Sequence, residues 1–427
     1  MLDIKYIKEN PDEVIARLAK KGKDAKEDIE AILRLDGERR ELIAAIDSAK
    51  AEQNKTSKMI PQMKKEGKDT TELFAKMKQL SADTKANEDK LKETETQLTS
   101  FMLGLPNLPD EDLLAGGKEN NEPLRYHGEP RKFDFEFKNH VDLCTDLGLI
   151  DYDRGTKLSG SGFWIYRGMG ARLEWALLNY FIDTHLADGY ELILPPHMLE
   201  YECGVTAGQF PKFADEVYKI ENPTDNRSRY MLPTAEAALA SLYRNEILTE
   251  ADLPKKLVSY TPCFRREAGS YRSDERGMVR GHQFNKVEMF QYTLPERSDE
   301  AFDELVMKAE NLVKGLGFHF RTVKLAAEDC SASMARTYDI EIQIPSMNGY
   351  KEVSSVSNAR DYQARRGMIR VRRADGHVEY VHTLNGSGLA TSRILPALVE
   401  QNQNADGSVN VPDVLKKYLG VDVIRKD

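Results

Sequence analysis

The sequence predicts an α+β chain: a long antiparallel coiled-coil hairpin, then a domain built on an antiparallel sheet flanked by helices. Three observations carry that prediction. Apolar or small residues recur at steps of three and four from Ile32 to Phe101, broken near Gly67, as two helices that fold back on each other require. The stretch 264–290, FRREAGSYRSDERGMVRGHQFNKVEMF, reads strand, long polar loop, strand. Further on, Ile340, Ile342 and Ile344 alternate with Glu341 and Gln343, the period of a half-buried strand.

Composition sets the bounds. A chain of 427 residues has room for two or three domains. A formal charge of −9 with 31% charged residues argues against a general nucleic-acid binder held by counterion release. It leaves open a shape-selective RNA partner met through local basic patches. Cys144, Cys203, Cys263 and Cys330 are scattered without ligand spacing, so neither a zinc site nor a disulfide framework is expected, and a reducing compartment fits. The N-terminus has no apolar targeting core, and no run nears the ~18 apolar residues of a membrane span. Cytoplasm is the default expectation.

In chain order, residues 1–25 read as a short helical lead, with Asn10-Pro11-Asp12-Glu13 as a helix start. The first stripe of the hairpin is Ile32, Leu35, Leu42, Ile46, Ala49, Thr56, Ile60 and Met63, with Arg39 and Gln53 in line. After Glu66-Gly67-Lys68-Asp69 the second runs Leu73, Met77, Leu80, Thr84, Asn87, Leu91, Thr94, Leu98, Phe101. Each arm should extend roughly 55–60 Å at 1.5 Å per residue, and Pro61 should break or kink the first. Six lysines from Lys50 to Lys68 face only Glu52 and Glu66, a modest basic tip that suits an RNA backbone or plain solvent. A dimerisation or spacer coil is the other reading of such a hairpin. Gly104 to Arg131, rich in Pro, Gly and Asn, reads as a hinged linker open to proteolysis. It divides a domain at 1–110 (hairpin about 27–101) from one at 111–427.

Beyond it, His140 to Ile150 reads as a helix ending at Gly148, followed by an extended Ser/Gly-rich stretch from Ser159 to Trp164. Ala171 to Ala187 is an apolar helix, Tyr190 to Leu194 a strand stopped by Pro195-Pro196. In MLPTAEAAL, Thr234 stands in capping position for a helix and Glu236 follows as a first-turn acid. Ser298 to Gly315 is an amphipathic helix; Phe318 to Leu325 and Tyr338 to Ile344 are strands. Glu352 and Ser355 offer hard oxygens suited to Mg²⁺, or form a polar strand edge. In HTLNGSGLATSRILPALVEQNQ a strand turns at Asn385 to Gly388 into an apolar helix carrying Arg393. That is an anion site, or a structural helix with an exposed arginine.

The 264–290 hairpin concentrates the chemistry. Period two puts Arg265 and Glu267 on one face, with Arg280, Phe284 and Glu288 near. An arginine fork, an aromatic plate and carboxylates suit a nucleotide with phosphates and a charged amine, although a salt-bridged surface hairpin has the same composition.

Taken together, FRRE with GHQFNKVEMF, TAE at 234–236, EVSSVSN with DYQARR, and GLATSR resemble the motifs of class II aminoacyl-tRNA synthetases, and in detail those of the seryl-tRNA synthetase family, bacterial type. PNLP and GEPRKFDF match family wording too, so the resemblance covers nearly the whole chain. It implies that Arg265 holds the α-phosphate and the amino acid carboxylate, and that Glu267 reads the adenine amine. Phe284 would stack on the adenine, while Arg280 and Arg393 take the phosphates, with Arg266, Val353 and Ser354 among the ATP contacts. Thr234 and Glu236 would meet the serine ammonium; Glu288, Asn385 and Ser387 would meet its hydroxyl. Glu352 and Ser355 would carry Mg²⁺ with ATP. The same resemblance makes the helix at 171–187 and the strand after it a homodimer interface. It makes the hairpin a clasp for the long variable arm of tRNA(Ser), with tRNA(Sec) charged where that tRNA exists. Ser270 to Glu275 and Gly281 depart from common wording in the loop expected to meet the acceptor stem; Val356 and Ala359 depart without chemical cost. The implied reaction is ATP-dependent seryl-adenylate formation, then transfer to the tRNA 3′ end. Two rivals are a carrier-protein ligase, whose kind usually lacks a full arm of this sort, and an inactive coiled-coil protein, in which Arg265, Glu267, Glu288, Glu352 and Arg393 should have eroded.

Overall fold

The computed structural model describes residues 1–222, 224–267, 277–347 and 349–426. Gly269 and Ser270 to Glu275 of the polar loop lie outside the described residues. The chain divides into two compact units: Leu2–Ala19 with Lys23–Leu105, and Pro106–Asp427 with Met1 and Lys20–Gly22.

The first unit is helical. Helices α1 (Ile4–Glu9) and α2 (Pro11–Ala19) lead in, and α3 (Lys26–Lys65) and α4 (Thr71–Gly104) form the hairpin. Ion pairs Lys50–Glu88 and Lys76–Glu52, both 2.7 Å, run in opposite chain order and show the two helices to be antiparallel. The predicted stripes face inward: Ile32, Leu35, Leu42, Ile46, Thr56 and Ile60 are buried on α3, and Thr84, Thr94 and Leu98 on α4. At the end of the stripe Phe101 is 37% exposed and Met102 is buried, because a step of four from Leu98 lands on 102. Pro61 does not break α3, which continues to Lys65. Its missing N–H leaves the Ser57 carbonyl without a helical donor, and both residues are exposed, so solvent can satisfy that carbonyl. Lys55, Lys58 and Lys65 form no salt bridge among the described residues, whereas Lys50 and Lys68 are paired.

The larger unit contains β1 (Glu122–His127), α5 (His140–Asp146), α6 (Tyr152–Ser159), α7 (Gly168–Ala187), β2 (Glu191–Leu192) and α8 (Glu236–Leu239). Then come β3 (Lys255–Phe264), β4 (Gln283–Thr293), α9 (Ser298–Gly315), β5 (Phe320–Lys324), β6 (Arg336–Ile344), β7 (Gly349–Arg360), β8 (His382–Ala390) and α10 (Thr391–Gln401). Among the described residues the main sheet has the order β1-β5-β6-β7-β8-β4-β3-β2. Every pairing is antiparallel except that of the short edge strand β2 with β3. Alternation on β4 sorts its residues between two cores. Val287 and Met289 join the one built on α7, α9 and α10, while Phe290 and Tyr292 join the one around α8.

Three expectations are corrected. The stretch 104–131 is not a free linker beyond Leu105: Asn107 is buried and donates to Ser333 O and Ala359 O at 3.0 and 2.8 Å. Asp110 pairs with Arg336 and Arg360, and 122–127 is an edge strand. The Ser/Gly-rich stretch is preceded by helix α6, capped by Asp151, and the strand comes only at Ile165–Tyr166. Finally, the chain does not turn at Asn385 to Gly388; β8 continues to Ala390, its pairing with β4 shifting register between Ser387 and Ala390. Its glycines allow close approach instead, since a Cβ on Gly388 would lie 2.3 Å from His185 Nε2.

Candidate active site

Period two on β4 sends Phe284, Lys286 and Glu288 to the same face as Phe290 and Tyr292, where they form the polar end of an otherwise apolar surface. Cross-strand register completes the group: Ser387 stands opposite Glu288, and Asn385 opposite Phe290. Glu288 is almost fully buried and heavily bonded. Lys286 Nζ lies 2.5 Å from its Oε2 and donates to Thr234 Oγ1 at 2.8 Å, and Asn385 Nδ2 donates to its Oε1 at 3.0 Å. Among the described residues Asn385 Oδ1 is buried with no donor, an acceptor available to a ligand.

Thr234 Oγ1 accepts the Glu236 N–H at 3.2 Å, although Ala235 occupies the cap position of the short α8. Glu236 is buried and receives Gln363 Nε2 at 2.8 Å. Burial, and next the Glu288 carboxylate, push the Glu236 acid up to about 7, against the pull of Lys286 and Arg265.

The adjoining half is cationic. A cavity of about 110 Å³ is walled by Arg265, Arg280, Lys286 and Arg393 against two carboxylates, Glu267 and Glu352. That excess of positive charge calls for an anion. A second cavity of about 360 Å³ shares Arg265, Glu267 and Arg280 and reaches Thr234 and Glu236. Arg265 lies beyond the end of β3, so strand alternation does not place it beside Glu267, whose φ is +51°. Both still line the two cavities. The Arg265 guanidinium sits 5.1 Å from the Phe284 ring centroid, and Arg280 Nε donates to Glu267 Oε2 at 2.6 Å. Arg393 stands in the first turn of α10 and holds the Glu352 carbonyl at 2.7 Å and its carboxylate at 3.2 Å. Arg266 points elsewhere, donating to Asp215 O at 2.6 Å.

Glu352 and Ser355 are three apart, which on a regular strand puts them on opposite faces. A bulge resolves this: Ile340 pairs with Ser354 but Glu341 with Glu352, so Val353 is the extra residue. Glu352 and Ser355 thereby face the same way, opposite Glu341 and Asp339. Ser355 donates to Asp339, whose acid is driven well above its usual range, by burial first and then by Glu352. Burial works against ionisation of Glu352 too, yet Arg393 and then Arg265 hold it below the usual range. Val353 is in the core and reaches the cavity wall; Ser354 is buried and donates to Ser387 O at 2.6 Å.

Sequence reasoning missed Lys286 and Gln363. Lys286 carried a signal, being two residues from both Phe284 and Glu288. Gln363 carried none, since only the fold brings it to Glu236.

Residues 218–402 match the family model for the tRNA synthetase class II core domain (G, H, P, S and T), and residues 1–109 that for the Seryl-tRNA synthetase N-terminal domain. The chain is 58% identical over 431 residues to Serine--tRNA ligase 2 of Clostridium acetobutylicum, spanning 99% of this chain and 100% of that one. It is 45% identical to Serine--tRNA ligase of Thermodesulfovibrio yellowstonii over 100% of both chains. Among solved structures, the seryl-tRNA synthetase from Pyrococcus horikoshii complexed with ATP matches at a TM-score of 0.94 and 35% identity over the whole of both chains. The cytoplasmic Serine-tRNA ligase from Naegleria fowleri in complex with AMP matches at 0.88 and 27%, covering 100% of this chain and 99% of the other.

Proposed function

Because the chain belongs to the seryl-tRNA synthetases, class II enzymes that join serine to tRNA with ATP, we propose how its residues divide that work. The observation that carries the reading is the buried group of Glu288, Lys286, Thr234 and Asn385 set beside the four-cation cavity. Serine binds with its ammonium toward Thr234 and Glu236 and its hydroxyl toward Glu288, Asn385 and Ser387. The unpartnered Asn385 Oδ1 accepts from the ligand. An amino acid without the hydroxyl leaves these buried groups unpaired, which is how alanine is refused.

ATP lies along Phe284, with Glu267 on the adenine amine and Arg265, Arg280 and Arg393 on the phosphates. Glu267 and Arg280, bonded to each other here, each exchange that bond for a ligand contact. Glu352 and Ser355 are an all-oxygen pair, and Ser355 spends its one proton on Asp339, leaving lone pairs for a cation. They fit Mg²⁺, which when bound would draw negative charge from the phosphates. Arg265 aligns the serine carboxylate with the α-phosphorus; a carboxylate oxygen forms the new P–O bond as pyrophosphate leaves. The 3′-terminal ribose hydroxyl then attacks the seryl carbonyl and AMP departs. Neither step needs a side-chain nucleophile: alignment and charge stabilisation do the work.

Glu236 must be ionised to receive the ammonium. Its acid is raised to about 7, so the productive form is lost as pH falls through that value. The serine kcat/KM of pyrophosphate exchange, at saturating ATP, should therefore drop below about pH 7. Glu236→Gln should be at least about tenfold weaker and flat across that range; a wild-type profile without an inflection there would refute the role.

The α3–α4 hairpin clasps tRNA(Ser), and the unpaired Lys55, Lys58 and Lys65 supply its phosphate contacts. A second copy covers Trp175, Leu186, Leu192 and Leu194, which are 53, 42, 38 and 71% exposed, giving a homodimer. The four cysteines are free, in keeping with a cytoplasmic setting. The deciding experiment is serine charging of tRNA(Ser) beside the same tRNA without its variable arm. Charging should fall about a hundredfold on deletion, with exchange unchanged; equal charging of both would remove the hairpin's assigned task.

A further inference from the structure

We propose that Glu174 is a positioning residue for the ATP half of the site, fixing from behind the two elements that carry Phe284, Lys286 and Arg393. The proposal rests on the reading of the four-cation cavity as the ATP site. Glu174 lies on α7 among Leu173, Ala176 and Leu177 and is only 3% exposed. A carboxyl group in such surroundings is costly unless its bonds are put to use.

Those bonds are specific. Glu174 Oε1 accepts from Asn285 Nδ2 at 2.8 Å and from Thr391 Oγ1 at 2.5 Å. Asn285 lies in β4 between Phe284 and Lys286, so its side chain takes the opposite face of the strand from theirs. Thr391 is the first residue of α10, and Ser392 and Arg393 of the cavity wall follow it directly. One oxygen atom therefore ties α7 to the strand bearing the adenine plate and to the helix end bearing the phosphate grip. A shift of either element would move those groups relative to each other, and small misplacements weaken binding and catalysis.

Among the described residues, Glu174 Oε2 and the Tyr166 hydroxyl are both buried with no hydrogen-bond partner. Tyr166 and Tyr260 are the titratable groups facing Glu174, and no cation among the described residues pairs with it. Burial, opposed by the hydrogen bonds from Thr391 and Asn285, raises its acid to about 7. Ionised, it receives two charge-assisted bonds; protonated, it holds both elements less firmly. ATP binding should therefore weaken on acidification.

The test is ATP and serine KM in pyrophosphate exchange by the full-length protein, with Tm recorded for each variant. Thr391→Val keeps the shape and removes one donor, and should raise ATP KM roughly tenfold with serine KM little changed. Glu174→Leu, which fills the space without an acceptor, should do so more strongly. Glu174→Gln keeps an acceptor oxygen but cannot ionise; it should restore ATP KM to within about threefold at about pH 8 and lose part of the wild-type rise at acid pH. Unchanged ATP KM in both Thr391→Val and Glu174→Gln, with no difference in pH profile, would overturn the proposal. So would an equal rise of both KM values with a falling Tm, the mark of general destabilisation. Arg393→Ala, run alongside, separates the two ways of failing. If it too leaves ATP KM untouched, the cavity is not the ATP site and the proposal falls with that reading. If it alone raises ATP KM, only the Glu174 linkage falls.

Discussion

Arg265→Ala is expected to cut serine-dependent pyrophosphate exchange by about a thousandfold or more, because a fixed charge aimed at a developing transition state is among the largest single terms in catalysis. The fold should survive. Arg265 is exposed, lies past the end of β3, and among the described residues gives only one side-chain hydrogen bond, to Pro233 O at 3.2 Å. It also lies over the face of Phe284, which an adenine ring could cover instead. Arg265→Lys keeps the charge but not the planar fork, and should recover only a small part of the rate. The measurement is exchange at saturating serine and ATP beside thermal unfolding; near-normal exchange with an unchanged Tm would remove Arg265 from the reaction.

Lys286→Met should be the most disruptive single change in the serine half. The Lys286 ammonium is buried, 2.5 Å from Glu288 and bonded to Thr234, and it also faces Glu236. Removing it leaves buried carboxylates without their nearest compensation. Breaking a buried pair by deleting one partner costs about 3–5 kcal/mol. Serine activation should vanish with it, since Thr234 and Glu288 lose their common anchor. Adding Glu288→Gln to Lys286→Met should return most of the stability and none of the activity. Denaturant unfolding decides the matter: a loss under about 1 kcal/mol for the single variant would mean that solvent already compensates the acids.

What the residues disclose depends on whether the signal is periodic. The hairpin arm is legible because burial repeats every three to four residues, and only its last position, Phe101 against Met102, reads one place off. The strands around Glu288 and Ile340 are legible by the same logic with period two. Resemblance supplied the roles proposed for Glu267, Arg280 and Arg393, which no spacing rule assigns. Contacts made over long stretches of chain are not legible. In sequence Asn107 is no different from any other loop asparagine, yet it is bonded 226 and 252 residues away. Helix α6 hides for another reason: its one large aliphatic side chain, Leu158, is 75% exposed, so it has no apolar stripe to read.

The extra residue at Val353 gives β7 a constraint that its composition does not show. In a strand, parity decides which face a side chain serves, and here an odd spacing has been converted into an even one. Shortening the strand by that residue would restore unbroken pairing with β6 while sending Glu352 and Ser355 to opposite sides. Substitutions in this segment are therefore judged one side chain at a time, whereas a change in its length would dismantle the oxygen pair in a single step.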